Sequence, residues 1–313
     1  MNINKRWLNR REFITLMNVA LASFILAPWQ LKAANSTILR KIIPGTSESL
    51  PVIGLGSSRT FDVNPNAAVM TEFVALMRDF FTLGGELIDS SPMYGAAEQI
   101  IGKLLTQSGG RDRLFAATKV WTNGEQAGIQ QMESSAKKWG VDRFDLIQIH
   151  NLRDWQTQLK TLKAWKSEGK LRYLGITTSH GRNHRELETI LRQEPFDFVQ
   201  LSYNIEDRTI ENRLLPIAAD RGIAVLVNRP YQRGSLFRAV KGKPLPEWAA
   251  EFDCQSWGQF FLKYIVSHPA VTCVIPATTK RHHLQDNMAA GIGRQPDATQ
   301  RKDMEKFISK LLY

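Results

Sequence analysis

The sequence predicts an α/β protein, a (β/α)8 TIM barrel with an N-terminal β-hairpin and an extra C-terminal helix. Three observations lead to this prediction. Short apolar runs alternate with segments of helical period along the chain. Eight such strand–helix units fit into roughly 260 residues, the usual size of this barrel. Several of the apolar runs are continuous, which is typical of parallel strands that are covered on both faces.

The first predicted element is the hairpin. Residues 38–43 and 50–53 are rich in apolar and β-branched side chains. They flank Pro44-Gly45-Thr46-Ser47, whose residue types favour a turn. We therefore expect two antiparallel strands ahead of the barrel.

The eight barrel strands follow. Each is a short apolar run bounded by polar or turn-forming residues. A doubly wound sheet is the competing architecture, but Gly54-Leu55-Gly56-Ser57-Ser58 lacks the third glycine of its phosphate loop. The predicted strands are residues 52–56, 87–90, 114–120, 146–150, 173–177, 198–203, 224–227 and 271–275.

Helices are predicted where apolar residues recur three or four positions apart, which places them on one face of a helix. The last of these stripes comes after the eighth strand–helix unit and predicts the extra C-terminal helix. The stripes are Val69, Phe73, Leu76, Met77 and Phe80; Ile210, Leu214, Ile217 and Ala218; Trp257, Phe261, Tyr264, Ile265 and His268; and Met304, Phe307, Ile308 and Leu311.

Composition excludes several classes of protein. Of the 313 residues 43% are hydrophobic and 23% are charged, so the chain can bury a large core. Only two cysteines occur, Cys254 and Cys273, which excludes a disulfide scaffold. They could pair in an oxidising compartment, but Cys273 lies in a predicted apolar strand, which favours two free thiols. The net charge of +11 falls to +7 without residues 1–33, and no basic helix or recognition module accompanies it. We expect no nucleic-acid partner.

The N-terminus is predicted to be a targeting segment, residues 1–34, followed by the barrel domain, residues 35–313. Asn9-Arg10-Arg11-Glu12-Phe13-Ile14-Thr15 resembles the twin-arginine export signal, and a weakly apolar run follows it. Leu31-Lys32-Ala33-Ala34 offers small residues for cleavage. The segment predicts export by the twin-arginine machinery to the periplasm. An uncleaved signal would instead anchor the chain to the membrane, and a simple amphipathic extension is a further alternative.

Four polar side chains stand at or just beyond the carboxyl ends of three consecutive predicted strands. Asp89 ends the second strand and Tyr94 follows it, Lys119 ends the third and His150 ends the fourth. Active sites of such barrels lie at this end. A carboxylate, a phenol, an amine and an imidazole can therefore converge there from three neighbouring strands.

The run Asp89-x4-Tyr94-Gly95-x2-Glu98, with Lys119 and His150 at strand ends, resembles the aldo-keto reductase superfamily. The resemblance covers about residues 38–291. It implies an NAD(P)H-dependent oxidoreductase that reduces an aldehyde or ketone to an alcohol, with Tyr94 as the proton donor. An ammonium at Lys119 would lower the pKa of Tyr94, and Asp89 would hold Lys119. His150 would orient the carbonyl or relay the proton. The implied partner is a small-molecule carbonyl substrate.

The same resemblance implies the cofactor residues. Gln200 matches the glutamine that binds the nicotinamide carboxamide, whereas Thr177-Thr178 replaces Ser-Asn and Asn228-Arg229 replaces an aromatic residue and serine. NADP is favoured over NAD. The remaining implied contacts are Gly234, Ser235 and Leu236 at the pyrophosphate, and Thr278, Thr279, Lys280, His283 and Asn287 at the adenosine end.

Two alternatives remain open at this point. The changed cofactor positions are compatible with a non-catalytic or weakly catalytic cofactor-binding sensor or partner protein on the same fold. A metabolite-binding barrel without nicotinamide is the other. No metal is expected, because His150 has no spaced ligand partner and His282 and His283 are adjacent on a helix. The oligomeric state and the carbonyl substrate are left undetermined.

Overall fold

The computed structural model describes residues 37–312, so the predicted export signal lies outside the described residues. The chain first forms the predicted hairpin. Strand β1 (Arg40–Ile42) pairs antiparallel with β2 (Ser49–Pro51), and Arg40 lies opposite Pro51. The turn between them includes Gly45, whose φ of 76° is the left-handed conformation that glycine adopts without strain.

The barrel is confirmed. Eight parallel strands lie side by side in chain order, and each pairs with the next along the chain. They are β3 (Leu55–Gly56), β4 (Leu87–Asp89), β5 (Phe115–Val120), β6 (Phe144–His150), β7 (Leu171–Thr177), β8 (Phe198–Ser202), β9 (Ala224–Asn228) and β10 (Cys273–Val274).

The first and last strands close the barrel. Isolated parallel bridges join Ile53 to Val274 and Gly56 to Ala277, and the Gly56 amide donates to the Pro276 carbonyl at 3.0 Å. A Cβ on Gly56 would lie 2.7 Å from the Ile275 carbonyl oxygen, so only glycine permits this approach. Because the pairing here is not a continuous ladder, β3 and β10 are shorter than the sequence predicts.

The helices form the outer layer. They are α1 (Ala67–Thr82), α2 (Ala97–Ser108), α3 (Glu125–Trp139), α4 (Trp155–Ser167), α5 (His184–Gln193), α6 (Leu214–Asp220), α7 (Ser235–Ala239), α8 (Trp257–Val266), α9 (Arg281–Ala289) and the predicted extra helix α10 (Ala298–Leu312). Short 3-10 turns span Arg111–Arg113, Thr209–Asn212, Gln232–Gly234 and Glu247–Phe252. None of the helices described is long and apolar enough to cross a membrane.

Most of the predicted stripes are buried, but two positions differ. Val69 is 37% exposed, because it lies in the first turn of α1, where Asn66 caps its amide, and not on the packed face. Helix α8 ends at Val266, so His268 follows it in a turn. The other members of the first stripe pack against the barrel.

Apolar side chains fill both layers. A large cluster lies between helices and strands, and a second one fills the barrel interior, including Phe115, Leu146 and Phe198. Ile43 and Leu50 of the hairpin belong to the interior cluster, so the hairpin covers the amino ends of the strands. Cys254 and Cys273 are both buried and free, as predicted. The opposite end of the barrel, where the strands terminate, is left for a site.

Candidate functional site

A buried ion pair lies at the carboxyl ends of neighbouring strands. Asp89 is the last residue of β4, and Lys119 lies near the end of β5, which pairs with β4. The Lys119 Nζ donates to Asp89 Oδ2 at 2.6 Å and to the Ser90 carbonyl at 2.8 Å. The two side chains are 0% and 3% exposed, so neither charge could remain there without the other.

The second carboxylate oxygen of Asp89 is also occupied. The side-chain amides of Gln148 and Gln200 both donate to Oδ1 at 2.9 Å. Gln148 is absent from the sequence-based set of site residues. The sequence does contain a sign of it: Gln148 is a polar residue within an apolar strand, two positions before His150, so the two side chains lie on the same face of the strand. The network therefore holds the carboxylate of Asp89 from three sides.

Tyr94 lies in the turn between β4 and α2, above this pair. Its ring centre is 5.4 Å from the Lys119 Nζ. Burial raises the pKa of Tyr94, while the Lys119 charge lowers it and Asp89 raises it further. The lowering effect of Lys119 that the sequence predicts is present, but burial outweighs it and the net pKa is raised. Tyr94 is therefore a protonated phenol at neutral pH and able to donate.

His150, the last residue of β6, completes the group. Its ring meets that of Tyr94 edge-on, with 5.8 Å between the ring centres. Burial, followed by the Lys119 charge, lowers the pKa of His150 to about 3. The imidazole is therefore neutral, which favours orienting a carbonyl over relaying a proton.

Ser91 selects the tautomer of His150. Ser91 Oγ lies 2.9 Å from His150 Nδ1 and accepts the Met93 amide at 3.2 Å. Among the described residues, Nδ1 is the one acceptor within hydrogen-bond distance of the Ser91 hydroxyl, so we assign the hydroxyl as the donor and the ring proton to Nε2. Nε2–H is thus the group available to a ligand. Sequence reasoning missed Ser91, because a serine beside Asp89 looks like an ordinary turn residue.

Glu98, the last residue of the recognised pattern, has a structural task. It is buried at the start of α2, where its carboxylate accepts from Thr118, Ser135 and Trp139. These partners belong to β5 and α3. Glu98 therefore ties the helix after Tyr94 to the strand that carries Lys119, without lining the cavity.

A cavity of about 600 Å³ opens above these residues, at the carboxyl ends of the strands. Of the predicted catalytic residues, Asp89, Tyr94 and His150 line it, and Lys119 lies beneath them. Its size is typical of a ligand site. Predicted cofactor residues that also line it are Thr177, Gln200, Asn228, Arg229 and Gly234. Lining residues that the sequence analysis did not select include Arg59, Arg182, Arg233 and His180.

The predicted nicotinamide contacts bond to one another. Gln200 Oε1 accepts the Asn228 amide at 3.3 Å, and Asn228 Oδ1 accepts the Ser202 hydroxyl at 2.7 Å. The Thr177 hydroxyl donates to the Thr178 carbonyl, whereas Thr178 Oγ1 is buried without a partner among the described residues. Asn228 therefore takes a polar, hydrogen-bonded place where the resemblance leads one to expect an aromatic ring.

The segment after β9 brings basic side chains to the cavity. Arg229 and Arg233 both have a left-handed φ of 55°, and Gly234 has a φ of 86°. The Arg229 Nε is buried and has no partner within residues 37–312. Ser235 donates to the Gln232 carbonyl at 2.9 Å, and Leu236 is buried below it. The segment is thus held by its own turn contacts, while Arg229 and Arg233 form no ion pair within the described residues.

The segment from β10 into α9 lies beside the cavity. Thr278, Thr279, Lys280, His283 and Asn287 do not line it, but Tyr231 does, and the Tyr231 hydroxyl donates to Asn287 Oδ1 at 2.6 Å. Thr278 Oγ1 accepts the Lys280 amide at 3.1 Å. Arg281 is paired with Asp79 at 2.7 Å. No described side chain caps the start of α9, so its first amides remain available to an anion.

Comparisons with known proteins agree with this architecture. The sequence model of the Aldo/keto reductase family matches residues 52–307. The chain is 29% identical to aldo-keto reductase YhdN of Bacillus subtilis over 185 residues, and the aligned region covers 54% of each chain. It is 29% identical over 195 residues to the NADH-specific methylglyoxal reductase of Escherichia coli, covering 52% of this chain and 57% of that protein. The chain thus spans little more than half the length of these two relatives.

Solved structures resemble the fold. An aldo/keto reductase from Klebsiella pneumoniae in complex with NADP and acetate superposes with a TM-score of 0.72 at 23% identity, over 87% of this chain and 95% of that one. Aldo-keto reductase AKR11C1 from Bacillus halodurans in its holo form gives a TM-score of 0.70 at 22% identity, over 86% and 96% of the two chains.

Proposed function

The chain belongs to the aldo/keto reductase family, and from that premise we propose that it is an NADP-dependent reductase of small aldehydes or ketones. The observation that carries the proposal is the arrangement of Tyr94, the Asp89–Lys119 pair and His150 at one side of a single cavity. A proton donor, the charge that supports it and a neutral hydrogen-bond donor lie within reach of one bound carbonyl.

The residues present fit a nicotinamide dinucleotide. The buried, unpartnered Nε of Arg229 and the guanidinium of Arg233, which has no carboxylate partner among the described residues, suit a pyrophosphate. The uncapped start of α9 suits a further phosphate. The bound cofactor would supply the hydride that adds to the carbonyl carbon. The relative from Escherichia coli is named for NADH, so NAD is the alternative.

The protein's own part is to hold and protonate the carbonyl. Nε2–H of His150 donates to the carbonyl oxygen and fixes its position relative to Tyr94. The Tyr94 phenol gives its proton to that oxygen as negative charge develops on it, leaving an alcohol and a phenolate. Lys119 stabilises the phenolate, and Asp89 keeps the ammonium in place. Solvent then returns the proton to Tyr94.

We also propose that the protein works outside the cytoplasm. The paired Arg10-Arg11 within Asn9–Thr15 supports export by the twin-arginine route, which carries proteins that have already folded. Cell fractionation of the full chain tests this. Replacing both arginines by lysine should move the protein from the periplasm to the cytoplasm; a periplasmic or membrane-bound double variant would contradict the proposal.

The test of the enzymatic proposal has two stages. Nucleotide that co-purifies with the protein is identified first, and NADPH and NADH are then titrated against tryptophan fluorescence. Turnover of an aldehyde panel is followed next in wild type, Tyr94→Phe and the control Tyr173→Phe. The control removes a hydroxyl bonded to Glu48 of the hairpin, at the end of the barrel opposite the cavity. We expect Tyr94→Phe to lose about 10²-fold or more of kcat while still binding NADPH.

Two results would overturn the proposal. If Tyr94→Phe is as active as wild type on every carbonyl, Tyr94 is not the proton donor. If NADPH binds tightly but no aldehyde is turned over, the protein is a cofactor-binding sensor or partner on this fold, and the internally bonded Asn228 then becomes the feature to explain.

A further inference from the structure

The mouth of the cavity carries more positive charge than a dinucleotide pyrophosphate neutralises. Four guanidinium groups line it, and we call them the cationic rim: Arg59, Arg182, Arg229 and Arg233. None of the four forms an ion pair within the part of the chain described. Among the described residues, Asp89 is the one carboxylate that lines the cavity, and its charge is matched by Lys119. Asp207 is near enough to act on Arg229 but forms no ion pair with it, so the rim carries more positive charge than its surroundings neutralise.

The rim is assembled from separate loops. Arg59 follows β3, Arg182 follows β7, and Arg229 and Arg233 follow β9. The positive charges are close enough to act on each other: burial first, then Arg233 and Arg59, lower the pKa of Arg229. Chain segments that are distant in sequence thus bring like charges together, an arrangement that an anion would stabilise.

The backbone under the rim is held in an uncommon conformation. Arg59, Arg229 and Arg233 have φ values of 66°, 55° and 55°, and His180 has one of 66°. Residues other than glycine rarely occupy this region, and those that do cluster where a ligand is held. Arg233 Nη2 donates to His180 Nε2 at 2.8 Å, so His180 is neutral and positions Arg233.

Arg59 stands apart from the others, because it belongs to the loop beside the reacting groups. Asp62, three residues after Arg59, accepts the Ala96 amide at 3.0 Å. This contact joins the loop of Arg59 to the turn of Tyr94. Under the proposed function the segment after β9 would hold the pyrophosphate. Of the other rim members, Arg59 is the one whose loop contacts the turn of Tyr94, so it is placed to meet a group on the substrate.

We propose that the carbonyl substrate is an anion, carrying a carboxylate or a phosphate that Arg59 binds while the carbonyl lies between Tyr94 and His150. This rests on the proposed function and adds the substrate class to it. An Arg59 contact to such a group would be a charge-assisted hydrogen bond, stronger than one to a neutral ester.

Matched pairs of ligands test the proposal by equilibrium binding. Calorimetry is carried out on the NADP⁺-saturated protein, which cannot reduce an aldehyde. The carboxylate arm compares 4-formylbenzoate with its methyl ester, and the phosphate arm compares D-glyceraldehyde 3-phosphate with D-glyceraldehyde. We expect one anionic member to bind about tenfold or more tightly than its neutral partner, with the difference shrinking as salt is raised.

The variant is Arg59→Gln, and its control is Arg221→Gln. Arg221 follows α6 just before β9, at the opposite end of the barrel, so its replacement removes the same charge without touching the rim. Arg59→Gln should abolish most of the anion preference and leave the neutral ligands unchanged. Arg221→Gln should keep the preference.

The outcomes separate this inference from the proposed function. The inference is overturned if the anionic and neutral ligands bind equally well in both arms. It is also overturned if Arg59→Gln keeps the anion preference and instead binds NADP⁺ more weakly. Neither result contradicts the proposed reduction. An anion preference that depends on Arg59 sustains the inference even if Tyr94→Phe later proves fully active, since the calorimetry needs no turnover.

Discussion

Two parts of the cavity differ in how their charges are neutralised. On the side of β4 to β6, Asp89 and Lys119 are buried and neutralise each other, and His150 is uncharged. Around the mouth of the cavity, the cationic rim has no ion-pair partners within the described chain and is partly exposed to solvent. The charges of the first group are neutralised within the protein, whereas those of the rim are neutralised only when an anionic ligand binds.

The difference has a physical reason. A buried charge without a partner is strongly unfavourable, so the groups that support proton transfer must be paired inside the protein. Charges at a cavity mouth keep much of their hydration and can wait for an anionic ligand. Substitutions in the buried Asp89–Lys119 pair should therefore lower stability and turnover. Substitutions in the cationic rim should lower the affinity for anionic ligands.

The largest effect is expected from Lys119→Met. The substitution leaves Asp89 buried without its counter-charge and removes the ammonium near Tyr94. We expect unfolding free energy to fall by about 3–5 kcal/mol and kcat to fall about 10²-fold or more. Denaturant titration and steady-state reduction of an aldehyde measure the two.

Its control is Lys41→Met, which removes another buried ammonium far from the cavity. Lys41 Nζ donates to the carbonyls of Val266, His268 and Val271, and burial lowers its pKa to about 8. This variant should lose about 1–3 kcal/mol of stability with kcat changed less than about twofold. Equal kcat losses in both variants would show that Lys119 acts on stability alone.

The next effect belongs to the rim. Arg229→Gln should raise the Kd of NADPH about tenfold and weaken its dependence on salt, because one charge-assisted contact is lost. Turnover at saturating NADPH should change little. Fluorescence titration at several salt concentrations measures this, and Arg221→Gln again serves as the charge-matched control. A variant with unchanged Kd would place the pyrophosphate elsewhere.

Two adjacent serines sharpen the comparison. Ser91→Ala removes the hydroxyl that bonds His150 Nδ1, so the tautomer is no longer selected. We expect kcat/KM to fall roughly fivefold, as for one lost hydrogen bond, with a mixed tautomer visible in the imidazole nitrogen NMR shifts. Ser90→Ala is the control, because the Ser90 hydroxyl is buried without a partner among the described residues. Identical behaviour of the two variants would count against a tautomer role.

The smallest effect is expected from pH. Because the pKa of His150 is about 3, kcat/KM for reduction should show no inflection from this group between about pH 5 and 8. Because burial raises the pKa of Tyr94, its phenol should stay protonated, and the rate high, through the pH range in which an ordinary tyrosine is protonated. A bell centred near neutral pH would contradict both assignments.

The same histidine links stability to pH. In the unfolded chain His150 binds a proton below about pH 6.5, whereas in the folded protein it does so only near pH 3. The unfolded state therefore binds more protons between these values, and the contribution of His150 to stability is present above the higher value and lost as pH falls. The Tm of wild type should drop more than that of His150→Gln across this range.

The sequence predicts the residues at the strand ends of the cavity better than the arginines at its mouth. Asp89, Lys119 and His150 could be selected because each closes an apolar strand, a position that neighbouring residues reveal. Arg59, Arg182 and Arg233 could not be selected, since a loop arginine is usually a solvated surface residue. They differ from other surface arginines only in lining one cavity together and in having no ion-pair partner among the described residues.

What the sequence alone determined is the order of the strands and the chemistry at their ends. Consecutive strand–helix units place neighbouring strands side by side, so adjacency in the chain becomes adjacency in the barrel. Only the tertiary structure decided the protonation states. Whether burial or Lys119 governs the pKa of Tyr94, and whether His150 is charged, depends on distances and desolvation between residues far apart in the chain.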